Sequence, residues 1–134
     1  MYKCVFFSID ELVPPDVYQE RGELAWELLD DRALETLDQL RAKFGHCTVN
    51  NYKYGGPREW SGLRTPDSPY YSKYSQHTYG KAFDCIFKEH EAQGVRNYIK
   101  ANPDEFPYLN SYELDVSWLH FDTRNCKRIK TYKP

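Results

Sequence analysis

The stretch 81–87 constrains the fold most strongly, because it reads as a β-strand with an apolar core face and a second face that carries Asp84 between Ala82 and Ile86. Side chains alternate along a strand, so Phe83 points toward a core while Asp84 points to the opposite face. His77 precedes this strand, and a turn at Gly80 can fold the histidine back toward Asp84. The pattern therefore predicts a histidine and a carboxylate on one face of a sheet.

A second stretch, 118–124, has the same division of faces. Leu119 points one way along this strand and His120 points the other way. If the two polar faces coincide, the side chains of His77, Asp84 and His120 converge on one point. Two histidines and one carboxylate are typical of catalytic zinc sites, which keep a fourth position open for water.

At these residues the chain resembles peptidase family M15, which contains zinc D-alanyl-D-alanine carboxypeptidases and phage endolysins. The family pattern is Ser-x-His-x-x-Gly-x-Ala-x-Asp followed by a later strand with the last histidine. The residues from Ser75 to Asp84 and His120 match it, and residues 61–64 match an upstream Ser-Gly-x-Arg element. The resemblance implies an α+β fold of the hedgehog/D-Ala-D-Ala peptidase type. Such a fold has a small antiparallel sheet, helices packed on one face and a zinc cleft on the other.

The resemblance also implies roles for residues around the three ligands, which would hold Zn²⁺. Arg64 is expected to contact the substrate near its reacting carbonyl or its terminal carboxylate. A guanidinium suits both tasks, because it donates two parallel hydrogen bonds and stays charged. Ser75 is expected to support the site or to touch substrate, and Trp118 to line the cleft or to brace the neighbouring histidine.

The general base is the point at which the chain departs from its relatives. Many family members carry a glutamate three residues before the last histidine, and this chain has Ser117 there. Glu113 is the preferred candidate, because it ends the incoming strand of a predicted hairpin and has the longer reach. Asp115 is an alternative, although aspartate also suits a turn. Asp122 is a third acid, better suited to orienting a ligand histidine or to pairing with Arg124.

The remaining chain predicts a small set of helices. Leu34 and Leu37 begin an apolar series at helical spacing, which Gly45 stops, and this predicts a core-facing helix. The stretch 89–101 predicts another helix, and 16–29 has weak helical spacing.

Further strands are predicted at 47–50 and at 108–113, the latter pairing as a hairpin with the strand of the last histidine. The stretch 126–134 is either an edge strand or a basic tail. Glycines and prolines cluster between 55 and 74, which predicts a long binding loop.

Length and charge narrow the possible classes of function. A chain of 134 residues is long enough for one domain, 1–134, with one core. The net charge of −2 gives no basis for binding nucleic acid or anionic membranes. No apolar run predicts a membrane-spanning helix. The four cysteines form no Cys-x-x-Cys motif, so we expect four buried, reduced thiols.

The sequence therefore predicts a zinc metallopeptidase that hydrolyses D-amino-acid-containing peptides of bacterial peptidoglycan, as a carboxypeptidase or an endopeptidase. Its partner would be the peptidoglycan stem peptide, and a monomer is expected. The N-terminus does not resemble a signal peptide, so we expect a cytoplasmic protein until release, as for a phage-encoded lysin or a virion-associated peptidase. The alternative is a non-catalytic zinc-binding module of the same fold that binds a wall peptide or a protein partner. A hydrolase for a different amide is a third possibility.

Overall fold

The computed structural model describes residues 1–134 and has α+β architecture, as the sequence predicts. The helices are α1 (Pro15–Arg21), α2 (Asp31–Phe44) and α3 (Ala92–Ala101), and the strands are β1 (Cys47–Thr48), β2 (Ala82–Phe87), β3 (Ser111–Glu113), β4 (Leu119–Asp122) and β5 (Lys130–Tyr132). Short 3₁₀ turns connect these elements, and one of them, Gln76–Tyr79, carries His77. No helix is both long and apolar enough to cross a bilayer.

The five strands form one sheet in the order β1-β2-β4-β3-β5. The prediction of a purely antiparallel sheet is wrong at one edge, because β5 runs parallel to β3. Arg128 joins the segment before β5 to the segment before β3: its guanidinium donates to the carbonyls of Phe106 (2.7 Å) and Leu109 (2.9 Å). The chain is thereby returned to the start of β3 before it pairs. The segment 126–134 therefore contains an edge strand, β5, and is not a free tail.

The two faces of the sheet have different chemistry, as the alternation in the sequence predicts. Phe83 pairs with Phe121 on one face, and Asp84 pairs with His120 on the other. The apolar face belongs to one buried cluster that also contains residues of α2 and α3. Its sheet residues are Cys47, Phe83, Cys85, Phe87, Tyr112, Leu119 and Phe121. The opposite face carries the polar side chains Asp84, His120 and Asp122, and we call it the polar face.

Several element boundaries differ from the predicted ones for local reasons. The weak helical stretch 16–29 is divided, because α1 ends at Gly22, whose φ of 54° breaks the helix. The helix α2 ends as predicted at Gly45, with a φ of 85°. The helix predicted at 89–101 begins later, at Ala92, and the predicted strand 108–113 is shortened to β3.

The four cysteines form no disulfide. Cys47 and Cys85 are buried, whereas Cys4 and Cys126 are only partly buried. The expectation of four buried thiols is therefore wrong for two of them, because these two lie near the exposed ends of the chain.

Candidate functional site

Three side chains from separate elements meet on the polar face of the sheet. His77 comes from the 3₁₀ turn Gln76–Tyr79, Asp84 from β2 and His120 from β4. They are 2%, 6% and 5% exposed, respectively. One ligand atom from each lies within 4.8 Å of the others, so the group can hold a metal ion. The sequence prediction thus identified a set of residues that the fold brings together.

The hydrogen-bond partners of the two histidines orient both rings toward Asp84. His77 Nδ1 lies 2.8 Å from the carbonyl oxygen of Gly62. A carbonyl only accepts, so this nitrogen carries the proton and Nε2 presents a lone pair 3.3 Å from Asp84 Oδ1. His120 Nε2 lies 3.0 Å from Asp122 Oδ2, which leaves Nδ1 facing Asp84 Oδ1 at 2.9 Å. Three possible metal-ligand atoms therefore converge, and either a proton on His120 or a bound metal ion can lie between the His120 nitrogen and the Asp84 oxygen.

Without a metal ion, the pKa shifts of the three side chains show which of them carries a proton. Burial lowers the pKa of His77, which stays neutral. Burial opposes charge on Asp84 too, but the two histidines outweigh it and lower the pKa of this carboxyl. For His120, burial is outweighed by hydrogen bonds to Asp122 and Asp84, which raise its pKa to about 9. His120 therefore holds the proton that a metal ion would displace.

Asp122 supports the site from behind and is not free to act as a base. It is fully buried, and Arg124 donates two hydrogen bonds to it, from Nε at 2.8 Å and from Nη2 at 2.6 Å. Burial alone would raise the pKa of Asp122, but the bonds from Arg124 and His120 lower it. The carboxylate thus stays ionised and fixes the ring of His120, as outer carboxylates do in metal sites. It both orients the histidine and pairs with the arginine.

The Ser-Gly-x-Arg element is bonded directly to the ligands. The carbonyl of Ser61 accepts from the backbone N–H of Asp84 at 2.8 Å, and the carbonyl of Gly62 accepts from the ring of His77. A side chain at Gly62 would overlap the carbonyl oxygen of Leu12. Glycine is needed here because the backbone must pass close to the preceding loop to present its carbonyl.

The turn that carries His77 is fixed at both ends. At its start the hydroxyl of Ser75 accepts from the backbone N–H of His77 at 3.3 Å. At its end Gly80 has a φ of 68°, and a Cβ there would overlap the carbonyl oxygen of Leu28. Ser75 and Gly80, which both belong to the sequence motif, therefore each have a structural role in this turn. Ser75 supports the site and also lines the cleft.

Arg64 lies in the cleft but makes a contact that the sequence analysis missed. Its Nη2 donates to Asp84 Oδ2 at 3.0 Å, and its Nε donates to the carbonyl of Trp60 at 2.7 Å. The guanidinium also lies 5.6 Å from the ring centroid of Tyr70. Arg64 thus holds the ligand carboxylate by the oxygen that faces away from the histidines, and its Nη1 has no partner in the protein.

A cleft of about 610 Å³ opens above the three ligands. The four other predicted site residues, Arg64, Ser75, Glu113 and Trp118, all line it. The predicted binding loop, 55–74, supplies five further lining residues that were not named individually, Pro57, Arg58, Glu59, Trp60 and Tyr70. The sequence analysis missed one lining residue, Tyr132. Tyr132 had no local signal, because only the parallel pairing of β5 brings it to the site.

The structure separates the candidate bases. Glu113 ends β3 and lines the cleft. The pairing of Tyr112 with Phe121, extended by one residue, sets Glu113 beside His120. Burial raises the pKa of Glu113, and its carboxylate has no hydrogen-bond partner in the protein. This carboxylate is therefore free to act on a molecule in the cleft.

Asp115 and Ser117 lie elsewhere. Asp115 has a φ of 59°, is exposed and pairs with Lys133 at 3.7 Å. Ser117 lines a separate depression beside the N-terminus of α3. Neither residue lines the cleft above the ligands.

Comparison with protein-family models, with curated proteins and with solved structures found no match. The resemblance to family M15 therefore rests on the motif residues alone.

Proposed function

We propose that the protein is a zinc-dependent peptidase that hydrolyses D-amino-acid-containing peptides of bacterial peptidoglycan, on a fold of the hedgehog/D-Ala-D-Ala peptidase type. One observation carries the proposal: three buried acceptor atoms converge at the floor of an open cleft, beside an unpaired carboxylate. The motif resemblance supplies the substrate class. Release during phage lysis is part of the same proposal.

The donor set supports zinc as the metal. Two imidazoles and one carboxylate suit zinc, which binds them at about 2.0–2.2 Å in a tetrahedral arrangement. Such bonds place neighbouring ligand atoms about 3.3 Å apart. His77 Nε2 lies 3.3 Å from Asp84 Oδ1, and His120 Nδ1 lies 2.9 Å from the same oxygen. Both distances are close to this value, and all three ligand atoms lie within 4.8 Å of one another.

Zinc held by these side chains supplies a Lewis acid that polarises a carbonyl oxygen and strengthens water as a nucleophile. Glu113 accepts one proton of the attacking water, whose oxygen forms a bond to the carbonyl carbon as the carbonyl π pair moves onto its oxygen. The carbonyl then reforms and the C–N bond breaks, and Glu113 returns the proton to the departing nitrogen. One carboxylic acid and one amine result. The raised pKa of Glu113 suits a group that both takes and returns a proton.

Arg64 and Trp118 are the residues proposed to hold the substrate. The free Nη1 of Arg64 can donate to a substrate carbonyl or carboxylate while Nη2 keeps its bond to Asp84. Trp118 lines the same cleft and offers an indole face to an apolar part of the peptide. Ser75 contributes mainly by fixing the turn of His77.

A non-catalytic zinc-binding module is the second candidate. One observation favours it: Ser117 occupies the position of the family glutamate and lies outside the cleft. On this proposal the cleft binds a wall peptide without cutting it.

Digestion of purified muropeptides with the zinc-loaded protein tests the proposal. We expect mass spectrometry to find fragments with one new carboxyl and one new amine end, and Glu113→Gln to abolish them while retaining zinc. Binding of intact muropeptide with no cleavage would support the module instead. A protein that binds no zinc would contradict both.

A further inference from the structure

Four polar side chains form a row across the sheet. Asp84 on β2 pairs with His120 on β4, and Glu113 on β3 pairs with Tyr132 on β5. The register between β3 and β4, extended by one residue, places Glu113 beside His120. Cross-strand partners share a face of the sheet and lie side by side. The order along this polar row is therefore Asp84, His120, Glu113 and Tyr132.

Tyr132 leans along the row toward the metal-binding residues. Its strand lies two positions from β4, which corresponds to about 9.5 Å between strand axes. Its ring centroid nevertheless lies only 5.9 Å from that of His120, with the rings at 80°. The tyrosine side chain thus crosses above β3 and lines the same cleft as Glu113.

The ring of Tyr132 is held in place while its hydroxyl stays free. The guanidinium of Arg124 lies 4.9 Å from the ring centroid. Arg124 is itself fixed by its two bonds to the buried Asp122. Packing against Arg124 and His120 accounts for the position of the ring, but the hydroxyl of Tyr132 makes no hydrogen bond within the protein.

We propose that Tyr132 is a catalytic residue, whose hydroxyl donates a hydrogen bond to the substrate carbonyl oxygen as that oxygen gains negative charge during attack. The inference rests on the proposed peptidase function. A phenol has a pKa near 10 and keeps its proton at neutral pH. Tyr132 is the only member of the polar row with a hydroxyl donor, since Glu113 accepts. Donors aimed at a developing oxyanion stabilise the transition state more than the bound substrate.

Kinetics of Tyr132→Phe provide the first test, with Tyr112→Phe as the matched control. Tyr112 lies on β3 but belongs to the apolar cluster on the opposite face. We expect Tyr132→Phe to lower kcat about 100-fold, the scale for losing one oxyanion donor, with KM unchanged and zinc retained. Tyr112→Phe should keep kcat. The inference would be overturned by an unchanged kcat in Tyr132→Phe or by an equal loss of kcat in Tyr112→Phe. Loss of zinc from Tyr132→Phe would also overturn it, because this hydroxyl is not proposed as a metal ligand.

Binding of inorganic phosphate to the zinc-loaded protein gives a readout that needs no turnover. Phosphate is a tetrahedral anion, so the free hydroxyl should donate to it. By calorimetry we expect about tenfold weaker binding to Tyr132→Phe than to wild type or Tyr112→Phe. Equal affinities, or no binding to wild type, would overturn the inference. If wild type cleaves no peptide but phosphate binding depends on the hydroxyl, the peptidase proposal fails and the donor role of Tyr132 stands.

Discussion

The two ends of the polar row differ in how their side chains are partnered. At one end, Asp84 and His120 are buried and each polar atom has a partner, with Arg64 and Asp122 bonded to their far sides. At the other end, the side chains of Glu113 and Tyr132 have no hydrogen-bond partner in the protein. A ligand must be held in one orientation, whereas a reacting group must be free to bond to substrate. Under the proposed function, the end with Asp84 and His120 holds the metal and the end with Glu113 and Tyr132 reacts with substrate, so we call them the holding end and the reacting end.

Among the predicted changes, removing a metal ligand should have the largest effect, because the holding end then no longer retains zinc. In His120→Ala the site loses one of three donors and the partner of Asp122. We expect zinc content after dialysis to fall well below one equivalent, measured by plasma mass spectrometry. His90→Ala is the matched control, because His90 lies against Phe44, away from the site. Full zinc in His120→Ala would mean that the ligand set is wrong.

The reacting end should be separable from the holding end. Glu113→Gln removes the base and keeps the shape, so turnover should fall about a hundredfold or more while zinc stays bound. Asp115→Asn is the control, because Asp115 is exposed and lies outside the cleft. Zinc analysis and peptide cleavage are measured on the same samples. A larger loss of turnover in Asp115→Asn than in Glu113→Gln would show that Asp115, and not Glu113, is the base.

The outer contacts of the holding end should matter for metal affinity. Asp122→Asn leaves His120 without its charged partner, and we expect zinc affinity to fall about 10–100-fold, the usual effect of losing an outer carboxylate. Arg64→Lys should weaken affinity less, because a lysine can still reach one oxygen of Asp84, but it should lose much of the turnover. Chelator competition measures both affinities. An unchanged zinc affinity in Asp122→Asn would contradict the supporting role of Asp122.

The last prediction concerns the pH dependence of zinc affinity. His120 has its pKa raised to about 9 in the metal-free site, so zinc must displace a proton from it below that pH. Affinity should therefore rise about tenfold per pH unit from neutral pH and level off above about 9. In the metal-free protein, the stability due to this raised pKa is complete below about 6.5, the unfolded value, and is lost as pH rises through about 9. A flat affinity profile from chelator competition would contradict this assignment.

Local sequence patterns predicted three residues of the row and not the fourth, Tyr132. Alternation along two strands was enough to predict the shared face of Asp84 and His120, since the period of a strand is a local property. The place of Glu113 followed from the hairpin between neighbouring strands. Tyr132 could not be predicted, because its position depends on a parallel pairing that Arg128 fixes through distant carbonyls. The contact between Arg64 and Asp84 was likewise hidden, since it joins a loop to a strand 20 residues away.

X-ray absorption at the zinc edge of the loaded wild-type protein tests the central claim most directly. The account predicts one zinc per chain, bound only by nitrogen and oxygen at about 2.0–2.2 Å, with scattering from two imidazoles. The chain also offers four free cysteines as competing ligands. Zinc bound through sulfur, at about 2.3 Å, or no stoichiometric zinc at all, would contradict a site built from His77, Asp84 and His120.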